Sequence, residues 1–397
     1  MAFDITSRAF LEDPGPILQQ MRRDGPVVAI RIPLIGRIWV TTTDAAARHV
    51  LKSPELFVRD SAVADGRTLA QRFWWLPPFM KPLLQNMLAT DGEAHKRLRG
   101  LVETAFARTS ITDLRPRIEV ISNELLDQLA AGQTLDIQKH FARPLPLQTI
   151  CEMMGITQAE RDQIAHWITP ISGPTSGWTM LRALPGLWRI MRHFEKDFER
   201  VRETPRQGLI SDLVHADIGG DKLSREELLA MVVTLFIAGH ETTVHLISNG
   251  IHGLLQDRDA MKAMTGDKAQ VSLLIEEFMR HSSPVMMTKP HFVTKDTDYE
   301  GIRLKKGDQI AALLIGANHD PDRFEAPEKF IPARRPNPHL GFGHGPHVCL
   351  GMQLARAEAE VALTTLFDRF PNMTLVASPT RSRRTGIHGF NGLQVTL

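Results

Sequence analysis

The apolar residues of the chain follow different spacings in different regions. Between residues 91 and 255 they recur mostly three and four positions apart, as on one face of an α-helix. Strand-like runs bounded by Gly, Pro or Asp are confined to residues 27–42, 292–304, 309–314 and 386–397. This pattern predicts a mainly helical α+β protein, in which a large helical body lies beside a small β-sheet region.

One apolar segment is long enough for a helix that crosses the whole protein. It begins near Ser224, where Glu227 completes a capping box, and about 30 residues would make it about 45 Å long. Gly239, Glu241 and Thr242 interrupt the apolar run in its middle. Buried polar groups lower stability unless something uses them, so the interruption marks a candidate site. The alternative is that Thr242 only caps a kink and Glu241 has a structural partner.

No internal repeat, low-complexity tract or long linker divides the 397 residues. Two stretches, 202–212 and 321–338, have the composition of surface loops. We therefore expect one domain over residues 1–397.

Composition and charge narrow the classes of partner. Hydrophobic residues make up 43% of the chain and charged residues 23%, as in ordinary globular proteins. The formal charge of +2 is too small for a general attraction to nucleic acid or to a membrane surface. The N-terminus lacks the apolar core of a signal peptide, and the apolar run at 228–239 is too short to span a bilayer. We expect a cytoplasmic protein without a nucleic-acid or membrane partner.

One of the only two cysteines, Cys349, stands in the glycine-rich segment GFGHGPHVCLG, ahead of a helical stretch. Glycines 343, 345 and 351 let the backbone turn tightly, approach a flat ligand and aim N–H groups at the sulfur. The following helix N-terminus also favours negative charge. All three effects are expected to favour a thiolate, so Cys349 is a candidate metal ligand.

Two other interpretations of this segment are a merely packed cysteine and a zinc site built from His344, His347 and Cys349. A structural zinc site needs four ligands, usually with several cysteines, and no second cysteine is near. A merely packed cysteine would not need three surrounding glycines.

The segment resembles the haem-binding signature of the cytochrome P-450 monooxygenases in six residues: Phe342, Gly343, Gly345, His347, Cys349 and Gly351. The resemblance implies haem b as cofactor, with Cys349 as the iron ligand. It also implies the cytochrome P-450 fold, in which haem lies between the long central helix and the cysteine loop.

The interruption of the long helix, AGHETT, resembles the oxygen-binding groove of the same family. By that resemblance Thr242 donates a hydrogen bond to the bound O2, and Glu241 is its proton-relay partner. Ala238 and Gly239 would lie against the cofactor, and Gly239 would leave room for oxygen. The family more often has Asp at the position of Glu241.

Glu277 and Arg280 stand three residues apart, as in a surface ion pair on a helix. Their spacing also matches the ExxR motif of the family, in which a downstream arginine completes a buried structural lock. Arg334 matches this third member, and Arg335 is the alternative. These residues are assigned to fold integrity.

The resemblance also implies basic residues that bind the haem propionates. His95 and Arg99 share a helix face, and His339 precedes the cysteine loop. The position that usually holds a propionate-binding arginine aligns with His291, and Lys289 is an alternative there.

The substrate is expected to be an apolar small molecule, such as a terpenoid, steroid, fatty acyl or polyketide-like compound. Six residues lie in segments that form the substrate pocket in the family: Trp74, Trp75, Leu235, Val285, Met286 and Ile387.

The chain has no GxGxxG segment after a strand and no room for a fused flavin or iron–sulfur module. Electrons for reduction of O2 are therefore expected from a separate ferredoxin and reductase. A basic docking face for the ferredoxin would include Lys96, Arg97, Arg335 and Arg356. We expect a monomer that hydroxylates or epoxidises its substrate. The alternatives are a peroxide-driven peroxygenase, against which Glu241 and Thr242 argue, and a haem-binding sensor without turnover.

Overall fold

Helices form most of the protein in the computed structural model, which describes residues 3–32, 36–107, 111–168, 177–218 and 220–397. The helices are α1 (Arg8–Glu12), α2 (Gly15–Asp24), α3 (Asp44–Lys52), α4 (Ser61–Asp65), α5 (Leu69–Arg72), α6 (Lys81–Leu84), α7 (Gly92–Ala107), α8 (Ile111–Leu126), α9 (Pro144–Met154), α10 (Gln158–Ile168), α11 (Gly177–Glu203), α12 (Leu209–Val214), α13 (Arg225–Gln256), α14 (Arg258–Gly266), α15 (Lys268–His281), α16 (Leu314–Asn318) and α17 (Met352–Arg369).

The strands are short and form three small sheets. They are β1 (Val27–Ile32), β2 (Gly36–Thr41), β3 (Phe57–Val58), β4 (Thr134–Asp136), β5 (His291–Val293), β6 (Thr297–Tyr299), β7 (Ile302–Leu304), β8 (Gln309–Ala312), β9 (Thr374–Leu375) and β10 (Gln394–Thr396). The largest sheet has the order β1-β2-β8-β5-β3, in which only β2 and β8 run parallel. The second has the order β4-β10-β9, and β6 pairs with β7. The predicted fold class, mainly helical with a small sheet region, is confirmed.

The predicted strand regions contain seven of these strands, but in shorter pieces. Residues 292–304 are divided among β5, β6 and β7, and Leu314 begins a helix instead of ending a strand. β3, β4 and β9 were not predicted, because two or three residues are too few to show an alternating pattern.

One predicted loop is partly a helix. Residues 209–214 form α12, whose Leu209 and Ile210 are fully buried, because they pack into the main helical core. The other predicted loop, 321–338, contains no helix or strand.

The long helix predicted from Ser224 is α13, which spans 32 residues and lies in the centre of the largest hydrophobic cluster. Ser224 accepts a hydrogen bond from the Glu227 backbone N–H, while the Glu227 side chain accepts one from the Ser224 backbone N–H. Among the described helices, α13 alone is long and apolar enough to cross a membrane, but 67% of its most apolar window is buried inside the protein. It packs against α9, α11, α15 and α17, and its middle faces the site described next.

Candidate functional site

A cavity of about 420 Å³ lies between the middle of α13 and the cysteine loop. One wall contains Leu235, Ala238 and Thr242 of α13, and the opposite wall contains Phe342 and Cys349. Most of the lining is apolar. The structure thus brings together two sequence segments that are more than one hundred residues apart.

The cysteine loop keeps its shape through two glycines in the left-handed region of backbone space. Gly343 has φ 75° and Gly345 has φ 72°. A Cβ atom at Gly345 would also clash with the carbonyl oxygen of Leu51. The Cys349 N–H donates to the carbonyl oxygen of Phe342 at 2.9 Å, which closes the loop.

Gly351 differs from the other two glycines. Its φ is −87°, and no atom of the chain lies within 4 Å of a Cβ placed on it. Gly351 lies in a turn, but not in the left-handed conformation that would require glycine, and the space beside it is open. Its backbone N–H donates to the Cys349 sulfur, as expected.

The effects expected to favour a thiolate do not prevail in the polypeptide alone. Cys349 is accessible from the cavity, yet protein surrounds it on its other sides. This burial raises the pKa of the Cys349 thiol and outweighs the Gly351 N–H, Arg99 and Arg356, which act in the opposite direction. A cation bound at the sulfur would favour the thiolate.

The zinc interpretation finds no support in the structure. Within the described ranges, no group of three or more His, Cys, Asp and Glu side chains is placed to hold a metal ion. Cys349 is thus a single protein ligand, and a metal bound to it needs other ligands from a cofactor.

The polar residues of α13 divide between two directions. The Thr242 hydroxyl lies in the cavity wall and donates to the Ala238 carbonyl at 2.9 Å. A Cβ at Gly239 would lie 3.0 Å from Cδ1 of Ile150, so this glycine permits close packing against α9. Gly239 was expected to leave room for oxygen above the cofactor. Its small size is also required for the packing of α13 against α9.

Glu241 does not line the cavity. Its carboxylate pairs with Arg384 of the C-terminal segment and lies 3.9 Å from Nε2 of His245. Burial alone would raise the pKa of Glu241, but the charge and hydrogen bond of Arg384 lower it. The expected Glu241–Thr242 relay therefore has its acid on a different face of α13 from the hydroxyl.

A cluster of basic side chains lies at one end of the cavity. His95 and Arg99 of α7 line it together with His347, and the rings of His95 and His347 are 4.2 Å apart. Nε2 of His95 and Nδ1 of His347 are buried without a hydrogen-bond partner. Nη1 of Arg99 donates to the carbonyl oxygens of Pro346 and Val348 at 3.0 and 2.9 Å, which ties α7 to the cysteine loop.

Two histidines expected at this end are placed elsewhere. Nε2 of His339 lies 3.0 Å from the Glu276 carboxylate, and its Nδ1 accepts the Gly341 N–H, so neither nitrogen is available to the cavity. His291 is 3% exposed and lies in β5 outside the cavity lining. Burial lowers the pKa of His291 well below its ordinary value, so the side chain is neutral.

Two charged cavity residues were not predicted. Arg59 follows β3, and no periodic pattern distinguishes it in the sequence. Glu358 lies on α17, where burial raises its pKa to about 8 although Thr243 and Thr149 act to lower it. A signal for Glu358 was present, since it stands four residues after Leu354 on the apolar face of the helix.

The predicted ExxR residues and Arg334 come together in the core. Arg280 donates from Nε and Nη2 to both oxygens of Glu277 at 2.8 Å, and Nε of Arg334 lies 3.2 Å from each of them. Glu277 and Arg280 are 0% exposed and Arg334 is 8% exposed, whereas the alternative Arg335 is exposed.

The residues predicted for a substrate pocket are only partly together. Leu235 and Val285 line the cavity. Met286 is buried in a second hydrophobic cluster, because consecutive residues of an extended segment point in opposite directions, and Met287 lines the cavity instead. Ile387 pairs with Val285 through a β-bridge but is not in the lining.

Trp74 and Trp75 are on the surface, with 78% and 57% of their areas exposed. They follow the short α5 helix, and although the ring of Phe73 lies 6.1 Å from that of Trp75, both indoles stay mostly open to solvent. Their predicted place in the pocket is wrong.

This arrangement fits a flat metal cofactor that carries carboxylates. It offers one thiol for the metal, apolar walls for the ring, and basic groups with unpartnered nitrogens at one end.

The chain was also compared with known proteins. The family described as Cytochrome P450 matches residues 187–272 and 271–378. Cytochrome P450 107B1 of Saccharopolyspora erythraea is 34% identical over 383 residues, which cover 96% of this chain and 92% of that protein.

Solved structures agree over the whole length. The bacillaene polyketide synthase cytochrome P450 PksS of Bacillus subtilis 168 superposes with a TM-score of 0.90 at 32% identity, covering 100% of this chain and 99% of that one. Myxobacterial cytochrome P450 CYP267B1 in complex with myristic acid has a TM-score of 0.90 at 32% identity, covering 98% of each chain. The chain therefore belongs to the cytochrome P450 family, whose members bind haem b and incorporate oxygen into their substrates.

Proposed function

We propose that this protein is a cytoplasmic, monomeric, ferredoxin-dependent monooxygenase that inserts one atom of O2 into an apolar small molecule. The observation that carries the proposal is the pairing of two groups across one apolar cavity. The Cys349 thiol lies on one wall and the Thr242 hydroxyl on the opposite one. A protein that only binds haem requires the first group but not the second.

The cavity residues named above can be assigned roles in this function. Haem, when bound and reduced, supplies the activation of O2 that no side chain provides. Cys349 would hold its iron, and His95, Arg99 and His347 would bind its carboxylates. The Thr242 hydroxyl donates to the Ala238 carbonyl in this structure, and rotation about its C–O bond would turn the same hydrogen into the cavity. The apolar walls exclude water from the reacting groups.

The apolar part of the cavity lining favours an uncharged, apolar substrate. Leu235, Val285 and Met287 contribute this surface, and burial of a ligand there gains about 25 cal/mol per Å² of apolar area. PksS is named for polyketide biosynthesis, and CYP267B1 was solved with myristic acid. A polyketide-like or fatty acyl substrate is therefore the class that we propose.

The surface expected to dock a ferredoxin is less basic than its sequence indicated. Arg97 pairs with Asp221 and Glu227, and Arg356 pairs with Glu276. Lys96 and Arg335 remain exposed. The carboxylate that pairs with Lys96 is itself exposed to solvent. We propose that Lys96 and Arg335 contribute to the docking face.

The docking face is tested by reversing each charge. Lys96→Glu and Arg335→Glu should slow electron transfer from an acidic ferredoxin, with an effect that disappears at high salt. Arg37→Glu, on β2 of the large sheet, is the matched control. Unchanged rates in both variants would reject this docking face.

The reaction is tested on purified protein in three steps. The reduced protein should show the strongly red-shifted Soret band of a thiolate-bound haem on addition of carbon monoxide. Fatty acids and macrolides should then shift the haem spin state on binding. A surrogate ferredoxin and reductase should finally consume reductant and O2 in step with oxidised product. Product formed only with hydrogen peroxide would favour a peroxygenase, and binding without any turnover would favour a sensor.

A further inference from the structure

A buried guanidinium, that of Arg59, lines the cavity at the same end as His95 and His347. The residue is 7% exposed, and its Nη1 donates to the carbonyl oxygen of Lys289 at 2.5 Å. Its Nε is buried without a hydrogen-bond partner. The side chain is therefore held at the cavity with a free donor.

The charge of Arg59 has no carboxylate partner among the residues that the structure describes. Burial lowers the pKa of Arg59 to about 10, although Asp91 acts to raise it, so the group is still cationic at neutral pH. A buried charge without a counter-ion costs several kcal/mol, whereas a paired one does not. Retention of such a cation at a cavity wall indicates that an anion from outside the chain pairs with it.

Asp91 holds this part of the site together. One of its oxygens, Oδ2, accepts the backbone N–H groups of Arg59 and Asp60 at 2.6 and 2.7 Å. Its Oδ1 lies 3.8 Å from Nε2 of His347, and its carbonyl oxygen accepts the His95 N–H. One carboxylate thus positions three residues whose side chains have unpartnered nitrogens at the cavity.

Two neighbouring basic side chains do not match this charge. His291 is neutral and lies outside the lining. Lys289 lines the cavity and is accessible from it, but the protein around its amine lowers its pKa to about 8, so it stays mostly protonated at pH 7 and loses its charge above pH 8, where Arg59 is still charged.

From this geometry we infer that Arg59 is a haem-binding residue, which supplies a permanent positive charge opposite a haem carboxylate, and that Asp91 is its positioning residue. The resemblance placed a propionate-binding residue at His291 on strand β5, whereas this assignment places it at Arg59, in the segment after β3. It rests on the family cofactor and not on the proposed substrate or electron donor.

The test measures the rate of haem loss from the holoprotein to excess apomyoglobin. Arg59→Gln removes the charge at similar size and should speed haem loss about ten-fold or more, because a hydrogen bond to a charged group is worth roughly 1.5–3 kcal/mol. Arg59→Lys should lie between this variant and the wild type. The control His291→Gln should stay within about two-fold of the wild type, because that histidine is neutral.

A second ligand separates direct binding from a structural role. Haem dimethyl ester has no negative carboxylates, so wild type and Arg59→Gln reconstituted with it should lose it at rates within about two-fold of each other. An equal rate ratio with haem and with the ester would overturn the inference, as would a rapid loss from His291→Gln but not from Arg59→Gln. Failure of the wild type to bind haem would instead defeat the cofactor assignment itself.

Discussion

The Glu241 carboxylate and the Arg384 guanidinium form a buried ion pair that joins the middle of α13 to the C-terminal segment. Only 5% of the Glu241 side chain and 20% of the Arg384 side chain are exposed. Because α13 also contributes Thr242 to the cavity, this pair fixes the segment of the helix that lines the cavity.

Replacement of Arg384 by Gln should lower the free energy of unfolding at pH 7 by about 3 kcal/mol, because Glu241 would remain as an uncompensated buried charge. In the wild type the pKa of Glu241 is lowered, so its stabilising contribution is present above its ordinary pKa and is lost as pH falls through the lowered value. In the variant only burial acts on Glu241, so its pKa rises. Protonation of the carboxylate in acid then removes the cost of the unpaired charge. Denaturant unfolding at several pH values should show the largest difference at neutral pH.

The double variant Glu241→Gln/Arg384→Gln is the control for this pair. It should recover most of the lost stability, since no charge is left without a partner. A double variant as unstable as Arg384→Gln would contradict the interpretation.

Replacement of Arg334 by Ala should destabilise the protein by roughly 3–5 kcal/mol, because it leaves part of a buried charge network unpaired. Besides Glu277, Arg334 binds the Glu325 carbonyl at 2.7 Å. Arg335→Ala, at the exposed neighbouring position, is the matched control and should change stability by no more than about 0.5 kcal/mol. Urea unfolding measures both, and equal losses would show that the wrong arginine has been assigned to the lock.

Glu358 should make stability fall as pH rises. Burial raises its pKa to about 8, so the folded protein holds a proton that the unfolded chain releases above its ordinary value of 4.5. The stabilising contribution of the protonated Glu358 is therefore complete below pH 4.5, decreases as the pH rises to about 8, and is lost above that pH. The full difference in the free energy of unfolding between the two pH limits corresponds to roughly 5 kcal/mol at most.

Glu358→Gln keeps the size and neutrality of the protonated side chain, so it should abolish this slope between pH 5 and 8. The measurement is the free energy of unfolding of the holoprotein against pH. Glu360→Gln, on the same helix but paired with Arg115, should retain the slope of the wild type. A slope that survives in Glu358→Gln would place the titrating group elsewhere.

Replacement of Thr242 by Ala should leave the fold intact, because Ala is the best helix former and only one bond to the Ala238 carbonyl is lost. We expect product formed per reductant consumed to fall several-fold, since the hydroxyl is a polar group of α13 in the lining of the cavity that also contains Cys349. Thr243→Ala is the control, because the Thr243 hydroxyl is directed towards Glu358. Undiminished coupling in Thr242→Ala would favour a peroxide-driven reaction.

Local patterns were sufficient for much of this protein. The capping box at Ser224 and the apolar run after it predict α13, because a helix start and a periodic face are both encoded within a few residues. The glycines at 343 and 345 indicate the turn that presents Cys349, since only glycine adopts such backbone angles without strain.

The direction of a side chain is a different matter, because it depends on what packs against it. His339 and His291 stand at positions that suit a propionate, yet the first is bound by Glu276 and the second is buried in a sheet. Trp74 and Trp75 have the composition of a pocket but lie on the surface, because their segment is not covered.

The sequence by itself determined the helical body, the candidate thiol ligand and the family to which the chain belongs, because these depend on residue types at short, fixed spacings. Only the tertiary structure decided which charges reach the cavity. Arg59, Lys289 and His347 are far apart along the chain, and they meet because β3, β5 and the cysteine loop pack around one space. The burial that shifts the pKa values of Glu241 and Glu358 likewise comes from this packing and from no local pattern.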